Sequence, residues 1–379
     1  MLIFEIMNHR TMDMSIFASN ELLGSEINGW KVIKKIPKPN RINNETGGTF
    51  STCYIVIKEG VRAFMKTLDY EYVMTKSLPP GLTRSQVIEQ AAAEFNYEKE
   101  LSEYCKGKHL KNVVYYIESG ETQIAGYLFP DVSFIIYEEM EGDIKKVFDF
   151  SAKIVLVARM QALSDKIKSL HSVAVGLDEL HMNGISHQDI KPSNILYHKG
   201  DSKICDLGRS LCVNGKVACP YELHFNGDWN YAAPECFFQY TGITGTEMLY
   251  QIDNYMLGGL ICFYITGVTF NTLMDFHLPD SLKFSNIFRS YKIGVFDFQT
   301  VLPDILNAYQ EALSDFSKEV SIRDVRDGLV DIVSYLCFPD PLRRGHEKAL
   351  RTSEANYNLK RTMTQLDVLC SKAKYALLK

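Results

Sequence analysis

The sequence predicts an α+β fold in which a small sheet lobe is joined to a larger helical lobe. Three observations carry that expectation. Between Trp30 and Asp69 the chain reads as strand, turn, strand, because "TCYIVIKEG" and "VRAFMKTL" are rich in apolar and β-branched residues around a Glu59-Gly60 turn. A single helix-like segment, "SQVIEQAAAEFNYEKELSEYC", follows. After a second strand-like region ending near Met140, the remaining patterns are mostly helical, and strands first with helices after is the α+β order.

Taken in order, residues 1 to 26 show no strong period and read as an extension that covers the small lobe. "SLPPGL" breaks the chain after Asp69, and Thr83 with Gln86 has the spacing of a capping box at the start of the helix. On that helix Val87, Ala91, Glu94, Glu98, Leu101 and Cys105 form one stripe at three- and four-residue steps. "GYLFPDVSFIIYEEM" reads as a strand pair closing in an acidic turn. Ile167, Leu170, Ala174, Leu177 and His181 line one face of a helix that stops near Asn183-Gly184. From about Ser353 onward, Tyr357, Met363, Leu366, Leu369 or Cys370, and Ala373 mark a last amphipathic helix. That helix is expected to pack on the large lobe, the alternative being a docking or homodimer contact.

Composition narrows the classes. With 46% hydrophobic and 23% charged residues the chain can bury a sizeable core, and a net charge of −5 argues against a nucleic-acid partner. No segment reaches the roughly 18 uninterrupted apolar residues of a membrane span, and "YMLGGLICFYITG" fits a buried helix. Nine cysteines are scattered without a CxxC pair or a zinc-like spacing, which reads as free thiols in a reducing cytoplasm.

The chemistry concentrates in "HQDIKPSNILYHKGDSKICDLG". Phosphoryl transfer requires a base to orient the attacking hydroxyl, cations near the phosphates and oxygen ligands for Mg²⁺. Asp189 can be the base, Lys191 can sit beside the transferred group, and Asn194 and Asp206 are hard oxygen ligands suited to Mg²⁺. The segment between them is expected to fold back as a hairpin through Gly200, so that both ligands face one site. An isolated His-x-Asp would more often be an ordinary polar turn.

It is not isolated. His187-Gln188-Asp189, Lys191, Asn194 and Asp206-Leu207-Gly208 resemble the His-Arg-Asp, Lys, Asn and Asp-Phe-Gly series of the protein kinase family. "RAFMK" resembles that family's third-strand Val-Ala-Ile-Lys, which implies that Lys66 contacts the α- and β-phosphates of ATP, with Glu98 favoured over Glu94 as its partner. "ETGGTFSTCYIV" stands where the glycine-rich loop belongs, implying phosphate contacts from Gly47, Gly48, Thr49, Phe50 and Ser51, with Ser51 replacing the last glycine. "IIYEEMEGD" resembles the hinge: Tyr137 would limit the adenine pocket, backbone groups of Glu138 and Met140 would pair with adenine, and Asp143 would reach the ribose. "GDWNYAAPE", "IDNYMLGG" and "FPDPLRRGH" resemble three later family motifs, implying that Asp253 holds the catalytic-loop backbone and that Arg344 pairs with Glu235. Kinases of small molecules share the first series and generally lack these three.

The resemblance implies a bilobal protein-kinase-like fold over residues 27–346, with a small lobe to about 140, a large lobe from 141, and a helical extension over 347–379. It implies an ATP- and Mg²⁺-dependent protein kinase, of serine/threonine type from Lys191, with tyrosine specificity open and autophosphorylation expected. A small-molecule kinase or a pseudokinase scaffold is the alternative. Three departures stand out. Gln188 lacks the charge with which the family's arginine pairs an activation-segment phosphate. Leu207 replaces phenylalanine and can still pack, and Asp228 stands where the family has threonine and could pair with Lys191.

Overall fold

A computed structural model describes residues 16–38, 51–78, 81–148, 156–220, 225–242, 245–320, 322–352 and 355–376. They fall into two compact units, one within Met1–Lys99 and Tyr115–Glu139, the other within Glu100–Val114 and Met140–Lys379.

The first unit is built on an antiparallel sheet of β1 (Glu26–Ile27), β2 (Trp30–Ile36), β3 (Ser51–Lys58), β4 (Val61–Leu68), β5 (Tyr116–Gln123) and β6 (Asp131–Glu138), in the order β1-β2-β3-β4-β6-β5. The Glu59-Gly60 turn closes the β3–β4 hairpin with both residues at positive φ, 52° and 79°. Side chains alternate across a strand, so each strand of the sheet feeds two cores. Ala63 and Met65 of β4 join Tyr54, Val56, Phe134 and Ile136 on one face. Leu68, Ile135 and Tyr137 on the other face meet Val87, Ala91 and Phe95 of the Arg84–Gly107 helix. Lys66 shares the parity of Leu68, and therefore the helix-facing side. The helix begins with the expected capping box: Gln86 N–H donates to Thr83 Oγ1 and Thr83 N–H donates to Gln86 Oε1.

Three expectations change here. The hairpin partner of β6 is not within "GYLF" but is the earlier Tyr116–Gln123 strand, whose polar, half-exposed residues carry little apolar signal. Phe95, not Glu94, completes the buried helix stripe, and Glu94 instead accepts from Gln90. The N-terminal segment does more than cover the lobe. Ala18 and Leu22 are fully buried in the sheet core, and Phe17 stacks on Phe129 at 4.5 Å.

The second unit is helical. Its centre is the Thr246–Thr266 helix, whose residues from Leu249 to Cys262 are all buried. The apolar run singled out above belongs to this core helix, and among the described residues no helix is long and apolar enough to cross a membrane. It stops at Gly267, left-handed at φ 80°, whose N–H donates to the Phe263 carbonyl. The Leu156–Met182 helix buries the predicted Ile167, Leu170, Ala174 and Leu177. The last helix, Lys360–Ala376, packs against it and against the Arg323–Leu336 helix through Leu366, Leu369, Cys370 and Ala373. Thr362 rather than Met363 is buried in that stripe, and Tyr357 precedes the helix, against Tyr250.

Candidate active site

In the first unit, strand parity points Lys66 at the helix, and Glu98 meets it there. Lys66 Nζ lies 2.8 and 2.7 Å from the two Glu98 oxygens, with both side chains largely buried. The Tyr137 hydroxyl donates to Glu98 Oε1 at 3.1 Å. Sequence reasoning placed Tyr137 only as a pocket wall. Nothing in the pattern around it signals that its hydroxyl reaches this ion pair.

In the second unit, a short strand, Ile185–Ser186, pairs with Leu211–Cys212 and delivers the chain into the His187–Asn194 loop. Asp253 on the core helix fixes the start of that loop. Its carboxylate accepts from the backbone N–H of His187 at 2.8 Å and of Gln188 at 2.7 Å, from Ser186 Oγ, and lies 2.8 Å from His181 Nε2. His187 Nδ1 accepts from the Asp189 N–H, which leaves Nε2–H to donate to the Cys205 carbonyl at 3.1 Å. The backbone at Gln188 is left-handed, φ 63°, an uncommon conformation for a non-glycine residue.

The hairpin forms as its sequence predicts. Ile195–His198 pairs with Asp201–Ile204 across Lys199-Gly200, both at positive φ. Ile195 opposes Ile204 and the Cys205 N–H donates to the Asn194 carbonyl. Asn194 and Asp206 thus flank the same end of one hairpin. The Asn194 amide donates to the Asp189 carbonyl and to Asp189 Oδ2, both at 2.9 Å, and its Oδ1 accepts a long bond of 3.4 Å from Ser193 Oγ.

Asp189 is nearly buried. Oδ2 also receives Lys191 Nζ at 2.8 Å, and Oδ1 accepts from the Asp228 N–H at 2.9 Å. Burial pushes the Asp189 carboxyl above the usual carboxylate range, opposed by the Lys191 ammonium. For Lys191 burial works downward, but Asp189, Asp228 and Asp206 outweigh it and raise its pKa. Asp228 Oδ2 is 3.8 Å from Lys191 Nζ, the pairing its position suggested. Gly227 allows the Asp228 N–H to reach Asp189, because a Cβ at position 227 would collide with the Gln188 carbonyl oxygen. Asp189 and Lys191 open on a cleft of about 510 Å³. In the same unit, the fully buried Arg344 guanidinium holds Glu235 through two bonds of 2.6 and 2.8 Å.

Residues 47–344 match the family model of the protein kinase domain. The chain belongs to the protein kinase family. It is 28% identical to the human MAPK/MAK/MRK overlapping kinase over 33% of the chain and 29% of that protein. It is 34% identical to serine/threonine-protein kinase PknD of Mycobacterium tuberculosis over 26% of the chain and 14% of that protein. It is 25% identical to cyclin-dependent kinase F-3 of Oryza sativa over 56% of the chain and 45% of that protein. The chain therefore spans less than half the length of each of these relatives.

Within this protein kinase domain the remaining predicted residues stand as follows. Gly47, Gly48, Thr49 and Phe50 lie outside the described residues, and Ser51 opens β3, buried. The Glu138 N–H donates to the Tyr115 carbonyl at 3.0 Å. Met140 is half-buried. Asp143 Oδ1 caps the Ile144–Val147 helix by accepting from Lys145 and Lys146. Gln188 is fully buried: its amide donates to Ser186 Oγ and to the Leu249 carbonyl. It is therefore not merely uncharged but turned inward. The sequence gives no signal for the bond of His181 to Asp253, for the close approach at Gly227, or for the two cleft arginines, Arg209 and Arg289, which come from separate segments.

Proposed function

We propose that this chain transfers the γ-phosphoryl group of ATP to protein hydroxyls in a Mg²⁺-dependent reaction. The observation that carries this reading is Asp189, nearly buried, held by Lys191, Asn194 and the Asp228 N–H, and open to a cleft. There its carboxylate takes the acceptor proton while Lys191 offsets the charge that develops beside it. Lys66, oriented by Glu98, would hold the α- and β-phosphates, and a buried ammonium without such a partner would lose its proton.

The donor set fits Mg²⁺. Among the described residues no group of three or more His, Cys, Asp or Glu side chains could hold a metal, whereas Asn194 and Asp206 supply two hard oxygens. Mg²⁺ binds in that way, through few protein ligands plus water and phosphate oxygens. It would neutralise charge on the phosphates. Lys191 follows the serine/threonine pattern, and the Mycobacterium relative is named a serine/threonine-protein kinase. The inward Gln188 offers no cation to an activation-segment phosphate, so activity should not require one at that contact.

The test is Mg²⁺-dependent transfer of labelled phosphate from ATP to the protein itself and to a generic acceptor, using phosphatase-treated protein. Wild type should transfer at once, and Asp189→Asn should transfer ~10²–10⁴-fold less with an unchanged melting transition. Wild-type protein that neither binds nor turns over Mg-ATP would mean a scaffold. Efficient transfer to a metabolite but to no protein would mean a small-molecule kinase.

A further inference from the structure

The walls of the cleft beside Asp189 carry information about the acceptor. One side is aromatic: Trp229 stacks on Phe288 at 5.6 Å and meets Phe237 edge-on at 5.2 Å. Phe288 is 45% exposed, a large apolar surface left open at the rim. The charged lining is formally balanced, with Asp189, Asp228 and Asp275 against Lys191, Arg209 and Arg289. The balance is not even in direction, however, because the carboxylates are satisfied from within. Asp189 is held as described. Asp228 accepts from the Asn230 N–H and side chain. Asp275 spends both oxygens on the N–H groups of Phe284 and Ser285. Of the cations, Lys191 is spent on Asp189. Arg209 and Arg289 have no carboxylate within ion-pair distance among the described residues. The charge presented to a ligand is therefore two guanidinium forks, which suit carboxylates and phosphates.

We propose that the acceptor is an acidic protein segment. Its hydroxyl meets Asp189, an apolar side chain lies on Trp229 and Phe288, and anionic groups flanking the hydroxyl are read by Arg209 and Arg289. A basic segment is rejected because it would set ammonium groups against unneutralised guanidinium groups. The inference rests on the phosphoryl-transfer reading above and names the substrate class of that same site. Flanking carboxylates and flanking phosphates share this chemistry.

The experiment compares peptides with one acceptor hydroxyl whose flanks carry Glu, phosphoserine, Gln or Lys. Phosphate transfer is measured with Mg-ATP and binding by fluorescence anisotropy without nucleotide. With each contact modest in a half-open cleft, anionic peptides should exceed the Gln peptide by about 5- to 10-fold in kcat/KM, through KM, with the Lys peptide last. Arg289→Glu should invert the order of the Glu and Lys peptides, a reversal that misfolding does not produce. Arg209→Gln should shrink the anionic advantage. A gain for Glu alone identifies carboxylates as the source, and a gain for phosphoserine alone identifies a previously phosphorylated acceptor. Transfer to all peptides without preference, or best to Lys, overturns the inference and leaves phosphoryl transfer standing. Anionic binding preference without any transfer keeps the acidic segment as a ligand and removes the catalytic reading. Neither binding nor transfer removes both.

Discussion

Two ion pairs in the helical unit are built from the same chemistry and closed to different degrees. Arg344 and Glu235 have fully buried side chains. Every N–H of the guanidinium is used: two on Glu235, and one each on the carbonyls of Phe338, Gln251 and Pro339. Burial works against the charge of Arg344, but Glu235 outweighs it and raises the pKa further. Asp189 and Lys191 are also close, yet both open on the cleft, and burial has pushed the Asp189 carboxyl up despite its lysine. A pair that is closed on all sides can only hold the fold. A pair with one open side and a destabilised carboxylate can accept a proton.

Breaking the closed pair should produce the largest effect. Glu235→Gln leaves the buried Arg344 charge with neutral acceptors only and no counter-charge, and the expected loss is about 3–5 kcal/mol of stability, read as a fall in the urea midpoint. Activity per folded molecule at low temperature should persist. A loss below about 1 kcal/mol, the range of exposed pairs, would make this pair no different from a surface contact.

The open pair depends on position instead. Gly227→Ala puts a Cβ against the Gln188 carbonyl, so the loop must move and the Asp228 N–H loses Asp189 Oδ1. A displacement of that kind costs roughly 10²-fold in rate, with the urea midpoint close to wild type. An unaltered transfer rate would show that this hydrogen bond does not position Asp189.

How much of this was legible follows from distance along the chain. Asp189, Lys191, Asn194 and Asp206 sit within one loop and one hairpin, so their spacing already implied convergence, and the Ile195–Ile204 register delivers it. Glu98 was legible as one of two candidates because helix periodicity narrows the choice, while strand parity at Lys66 and the Phe95 packing settle it. The cleft was not legible. Arg209, the Gly227–Trp229 stretch and Arg289 come from three separate segments, and no local period links them. β5 was missed because an outer strand with half-exposed polar residues lacks the alternation that marks a buried one. Ala18 and Leu22 were read as extension because a single 3₁₀ turn is too short to show a period.

The smallest effect expected is also the most specific to the open pair. In the proposed reaction Asp189 acts ionised, so transfer is expected to fall as pH drops through its pKa. Burial raises that pKa above the usual carboxylate range, and the Lys191 ammonium, 2.8 Å away, is the largest influence pulling it back. Lys191→Gln removes the cation and leaves the burial. The ionised form loses its nearest counter-charge, the pKa rises further, and the acid limb of kcat/KM moves to higher pH. Because Lys191 is also proposed to flank the transferred group, the plateau rate is expected to fall as well, so the position of the limb, not its height, is the measurement. Glu235→Gln, which opens a pair that touches no reacting atom, should leave the limb where it is. A limb that stays put in Lys191→Gln, or moves to lower pH, would mean that the lysine does not control the protonation of Asp189 and that the two pairs differ only in exposure.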